Sequence, residues 1–159
     1  MFDLLWKSVA IGIGATVLMD IWALLLARLS VTAPVNWAPV GRWFWHLGKG
    51  KVFHDDIVKA SPYEHELALG WIAHYVVGTA YGILMGLVAG PSWFAEPTFL
   101  LAWIVSLATV SAGWFLLQPG LGLGVAASKT PEPNRVRALN LAAHTVFGFG
   151  LYATALLIR

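Results

Sequence analysis

The chain has 159 residues, 58% of them hydrophobic and 11% charged, with a formal net charge of +2 and a mean hydropathy of +0.72. That balance lies far from soluble globular composition and fits one membrane domain, residues 1–159, consisting mostly of span. The lack of cysteine excludes disulfides, thiolate metal sites and iron–sulfur clusters, and the pI near 9.1 arises from so few charges that it does not point to nucleic acid.

Four apolar runs reach the length of about 20 residues that a membrane-crossing helix needs: about 8–29, 67–88, 98–117 and 138–158. The expected fold class is therefore all-α, a polytopic membrane four-helix bundle. The first run carries Gly12, Thr16 and Asp20 at four-residue spacing, a small and polar ridge on one helix face. It is read as a retained span. It exceeds the about 7–15 residues of a signal-peptide core, contains Asp20, and is followed by Pro34 directly after the small residues Val31-Thr32-Ala33.

The connection from Ser30 to Glu66 sets Trp37, Trp43, Phe44 and Trp45 beside Arg42, Lys49 and Lys51, a composition suited to a segment lying among lipid headgroups. Its His46, His54, Asp55, Asp56, Glu64, His65 and Glu66 form a His and carboxylate cluster. With Lys51 and Lys59 close by, this cluster reads as solvated surface rather than as a metal site. The second run places Gly70, His74, Gly78, Gly82, Gly86 and Gly90 on one four-spaced row, which lets another backbone approach closely around a single imidazole. A turn is expected at Gly90 to Pro97. The third run is the least polar, with Ser106, Thr109 and Ser111 as its weak hydrogen-bonding groups, and reads as scaffold. The connection from Gln118 to Arg137 is rich in Gly and Pro but lacks the GxxxxGK[ST] order of a phosphate cradle. The fourth run sets Asn140, His144, Gly148 and Tyr152 on one row.

The halves resemble each other. Ala73-His74-Tyr75-Val76-Val77-Gly78 matches Ala143-His144-Thr145-Val146-Phe147-Gly148, and Ala15-Thr16-Val17 matches Ala108-Thr109-Val110. Two related helical hairpins would be paired about an axis along the membrane normal. Lys and Arg crowd the two long connections, which places these in the cytoplasm and both termini outside, in a bacterial inner (plasma) membrane.

Asp20 lies eight residues from Arg28, His74 eight from Glu66 and His144 seven from Arg137, so each sits on the order of 10–12 Å inside the cytoplasmic boundary. Ionisable groups at that depth are functional-site candidates. Asp20, His74 and His144 form the ligand set of a Zn or non-haem Fe site. They equally form a proton relay, and two histidines each followed by Gly four residues later could clamp a haem. Hydrogen-bonded structural glue, worth about 0.6 kcal/mol per contact, is the plain alternative. Asn140 and Tyr81 are further polar neighbours. No nucleophile elbow, zincin or kinase signature occurs, so nothing marks a soluble-type enzyme site.

The run Pro119-Gly120-Leu121-Gly122, then Ala126-Ala127-Ser128 with Pro131, then Ala143-His144 and Phe147-Gly148-Phe149-Gly150-Leu151-Tyr152, resembles a family of small bacterial inner-membrane proteins known only as a domain of unknown function. The resemblance extends to Asp20 and to Gly70-Trp71-Ile72-Ala73-His74. It implies a four-helix membrane protein and no activity, substrate or cofactor. The expected function is transport or relay of a proton, a cation or a small solute through an Asp/His site. The alternatives are an accessory subunit of a larger membrane complex and a metal- or haem-binding redox protein. The expected partners are the lipid bilayer and a second copy of the chain or a larger membrane complex.

Overall fold

The computed structural model describes residues 2–159. Helix α1 spans Phe2–Arg28, α2 Ala38–Leu47 and α3 Glu66–Ala95. Helix α4 spans Phe99–Ala112 and runs on through a π-helical turn, Gly113–Leu117, and a short helical segment, Gln118–Gly120. Helix α5 spans Pro133–Ile158, and single 3-10 turns lie at Ile57–Lys59 and Val125–Ala127. No strand occurs among the described residues.

Phe2–Arg28, Glu66–Ala95, Phe99–Gly120 and Pro133–Ile158 are long and apolar enough to cross a membrane. The fold is all-helical with four candidate spans, as composition and run length require. Helices α1 and α5 begin six and five residues before their apolar runs. Asp3 and Lys7 pair across one turn at 3.2 Å near the start of α1, and Pro133, with no N–H to lose, opens α5. The turn expected at Gly90 to Pro97 is shorter than that. Gly90 alone leaves helical geometry (φ 71°, ψ 178°), and Pro91 starts a last helical stretch to Ala95.

The chain divides into two compact units. The first comprises the residues up to Pro34, with Tyr75–Thr109 and Leu141–Arg159; the second comprises Val35–His74 and Val110–Asn140. In the first unit, the four-spaced ridges of α1 and α3 meet in antiparallel register. A Cβ at Gly12 would stand 2.7 Å from the Gly78 carbonyl oxygen, and one at Gly82 would stand 2.5 Å from the Gly12 Cα. Ser8 fills the space at Gly86 and Thr16 the space at Gly78. Both hydroxyls are satisfied within α1, Ser8 donating to Leu4 O and Thr16 to Gly12 O, each at 2.7 Å. The glycines are thus where two backbones touch, which in lipid is a main source of helix association. Helix α5 closes on α1 where Gly150 faces Ala15, and on α4 where Gly148 faces Trp103 and Ser106. Ile11, Ala15, Met85, Phe147 and Leu151 form the enclosed core. Large apolar side chains such as Leu87, Leu100 and Val76 lie on the outside. An exposed apolar surface of this extent belongs against hydrocarbon.

The second unit is built differently. Trp43 of α2 packs with Ile57 and Leu121 in a small core, and its indole donates to Val52 O at 2.7 Å. Arg42 is the hub. It grips Glu66 through two bonds, Nε to Oε2 at 2.7 Å and Nη2 to Oε1 at 2.8 Å. Its Nη1 also donates to the carbonyls of Ile57, Val58 and Ala60 at 3.1, 2.8 and 3.2 Å. One guanidinium therefore ties the loop after α2 to the first residue of α3. Arg137 holds the second long connection in a similar way, donating to Ala126 O at 2.8 Å.

Candidate functional site

Asp20 follows Thr16 by one turn on the α1 ridge. The register that sets Ser8 at Gly86, Gly12 at Gly82 and Thr16 at Gly78 brings Tyr75 of α3 to it. The Tyr75 hydroxyl donates to Asp20 Oδ2 at 2.8 Å. Both residues are half-buried. The acid predicted from the sequence thus meets a phenol within the first unit, inside two candidate spans.

His144, also in the first unit, is oriented by α4. Its Nδ1 lies 2.9 Å from Ser106 O and 3.1 Å from Thr109 Oγ1. A carbonyl oxygen can only accept, so Nδ1 carries a proton, and in the neutral ring Nε2 holds the lone pair. Thr109 itself donates to Ser106 O at 2.6 Å, and the Ser106 hydroxyl donates to His144 O. Tyr81 packs edge-on against Phe147, with ring centres 6.2 Å apart, and belongs to the core. A groove of about 380 Å³ between α1 and α5 is lined by Leu18, Trp22, Leu25, Val146 and Phe149. Its one hydroxyl, that of Thr145, accepts from the Trp103 indole at 3.1 Å.

His74 and Asn140 belong to the second unit. His74 is buried and stacked on Trp37, ring centres 4.0 Å apart, with Trp71 at its edge. Asn140 Oδ1 accepts from the Trp114 indole at 3.0 Å and from Gln118 Nε2 at 2.8 Å. An indole N–H can only donate, so the Asn140 atom facing it is the oxygen, and the Gln118 atom facing that oxygen is the nitrogen. Gln118 Oε1 is left buried without a partner, as are His54 Nε2 and Trp37 Nε1. The π-helical turn before Gln118 sets this register, and such turns recur at functional sites.

Among the described residues no three His, Asp or Glu side chains are grouped as metal ligands. Asp20, His74 and His144 are each engaged by partners of their own. The sequence marks Trp37 only as an interfacial aromatic, and it gives no signal that Tyr75 or Gln118 takes part in a site. Tyr75 stands one position off the four-spaced row that drew attention to His74. Outside the spans, the Arg42 guanidinium is held above its ordinary range by the bond to Glu66, with burial opposing.

An all-helical chain with four helices long and apolar enough to cross a membrane, two of them joined by an Asp–Tyr hydrogen bond, has the make-up of a multi-span membrane protein. It belongs to the family described as Protein of unknown function (DUF2938), whose model matches residues 9–158. Searches of curated proteins and of solved structures found no match.

Proposed function

We propose that the protein carries protons or small cations across, or into, the membrane through the Asp20–Tyr75 pair. The supporting observation is the 2.8 Å bond from the Tyr75 hydroxyl to Asp20 within two candidate spans. An ionisable group kept at that depth costs several kcal/mol that a Gly or Ala on the same ridge would not. A phenol both donates and accepts, so Tyr75 can hand a proton to Asp20 or release the carboxylate to a cation. His144 offers Nε2 as a second acceptor in the same unit, its tautomer held by Ser106 and Thr109. The basic residues of the long connections support cytoplasmic loops and outside termini in an inner membrane. Four spans enclose little volume, which supports action as a homodimer or within a larger complex.

Liposomes containing the protein and a pH-sensitive dye test the reading under an imposed cation or proton gradient. Flux above protein-free liposomes is expected, with Asp20→Asn reducing it to background and Tyr75→Phe slowing it. Flux that persists in Asp20→Asn, or native protein no better than empty liposomes, defeats it. Loss of stability without loss of flux would instead assign Asp20 to structural glue.

A further inference from the structure

The loop cluster that reads from sequence as solvated surface contains a histidine that is 7% exposed, His54. Its Nδ1 lies 3.0 Å from Gly120 O. By the carbonyl argument Nδ1 bears the proton, and in the neutral ring Nε2 carries a lone pair that is buried and without a partner. His46 on α2 is arranged the same way, with Nε2 2.9 Å from Ser61 O, which leaves Nδ1 as its lone-pair nitrogen. An imidazole whose N–H is tied to a backbone carbonyl while its other nitrogen stays available is the usual state of a metal-ligating histidine. The two rings are neighbours, with centres 5.0 Å apart and planes at 89°. Two imidazoles bound to one tetrahedral ion through nitrogens at about 2.0–2.1 Å would have ring centres about 5 Å apart.

We infer that His46 and His54 form a two-imidazole site for a divalent transition metal of the imidazole-preferring class, with Zn²⁺ as the probe ion. The site lies wholly in the second unit and is independent of the Asp20 reading. No third His, Asp or Glu is grouped with the pair among the described residues, so water completes the coordination sphere and the affinity is below that of closed structural sites. The site also accounts for a cost that packing does not explain, because a buried nitrogen with no partner is destabilising.

The test is a Zn²⁺ titration of the untagged full-length protein in detergent, in competition with a chromogenic chelator. One ion per chain is expected, with a rise in thermal unfolding temperature on loading. His46→Ala removes a ligand from a half-buried position. His54→Asn removes Nε2 while placing an amide N–H near the former Nδ1, so the bond to Gly120 O and the fold are kept. Each should weaken binding by more than the about 10- to 100-fold that losing an outer-shell partner costs, while His65→Ala leaves it unchanged. Native protein that binds no Zn²⁺, or binding that survives His46→Ala or a helical His54→Asn, overturns the site.

Discussion

The two units handle buried polar groups in opposite ways. In the first, hydroxyls and indoles are directed at the nearest carbonyl or hydroxyl: Thr16 to Gly12 O, Thr109 to Ser106 O, Trp103 to Thr145 and Trp93 to Thr98 O. No buried side-chain N or O of that unit lacks a partner among the described residues, whereas Trp37, His54 and Gln118 in the second each leave one open. Helices against lipid have no water with which to satisfy a stray donor or acceptor, so close packing and local bonds are selected together. The second unit instead spends its strongest interactions on one guanidinium and keeps several polar valences in reserve. The contrast teaches that one unit closes every buried polar valence around a single acid, while the other leaves three of its valences open.

The largest expected break of this comparison is Arg42→Ala. It removes five bonds at once, to Glu66 and to three carbonyls, and leaves the Glu66 carboxylate, 18% exposed, with the Tyr63 N–H at 3.2 Å in place of a cation. Breaking such a pair costs about 3–5 kcal/mol. Chemical unfolding in detergent should show that loss; a change below about 1 kcal/mol, the value of an exposed ion pair, would mean that Arg42 is not the anchor of the second unit.

Next in size is Gly82→Ala in the first unit. The new Cβ would meet the Gly12 backbone at 2.5–2.6 Å, and backbone cannot rotate away as a side chain can. The expected loss is about 3 kcal/mol, the upper end for overpacking. Gly113→Ala is its control, because nothing lies within 4 Å there and its φ is not positive, so no loss is expected. Equal losses at the two positions would mean that the ridge is not a contact between backbones.

Much of this is legible in the sequence. Four-residue spacing exposed both ridges because a helix repeats every 3.6 residues, about one turn per four positions, and Asp20 stood out because acids are rare in spans. The partner of Asp20 was not readable: Tyr75 is brought to it by the α1–α3 register, and the register emerges only when Gly12 meets Gly78 and Gly82. Asn140 was noticed as polar, but its two donors come from residues set in place by a π-helical turn, for which the apolar run Gly113–Leu117 carries no signal. His54 stands among polar neighbours in the sequence, and burial by a loop leaves no periodic mark there.

A smaller effect sharpens the contrast. Gln118→Met deletes a buried oxygen without a partner, worth about 1–3 kcal/mol in cost, together with one bond worth about 0.5–1.5 kcal/mol. Asn140 keeps its bond from Trp114. Stability should rise by about 1 kcal/mol, measured as an increase in unfolding temperature. A fall of similar size would show that Gln118 is already fully satisfied in the folded protein and that the second unit holds nothing in reserve at that point.

The smallest expected effect is a flat line. Arg42 is held above its ordinary range by Glu66. A cationic group with a raised folded pKa contributes stability that is complete below its unfolded value and is lost only as pH climbs through the folded one. For a guanidinium that window lies beyond the range where proteins are handled. The stability difference between native protein and Arg42→Ala should therefore stay constant from about pH 7 to about pH 10, while lysines and tyrosines begin to titrate in both. Taking the difference cancels those shared ionisations. A difference that shrinks before about pH 10 would place the hold on the second unit in a group that does titrate there, such as a lysine, and would take the hub away from Arg42.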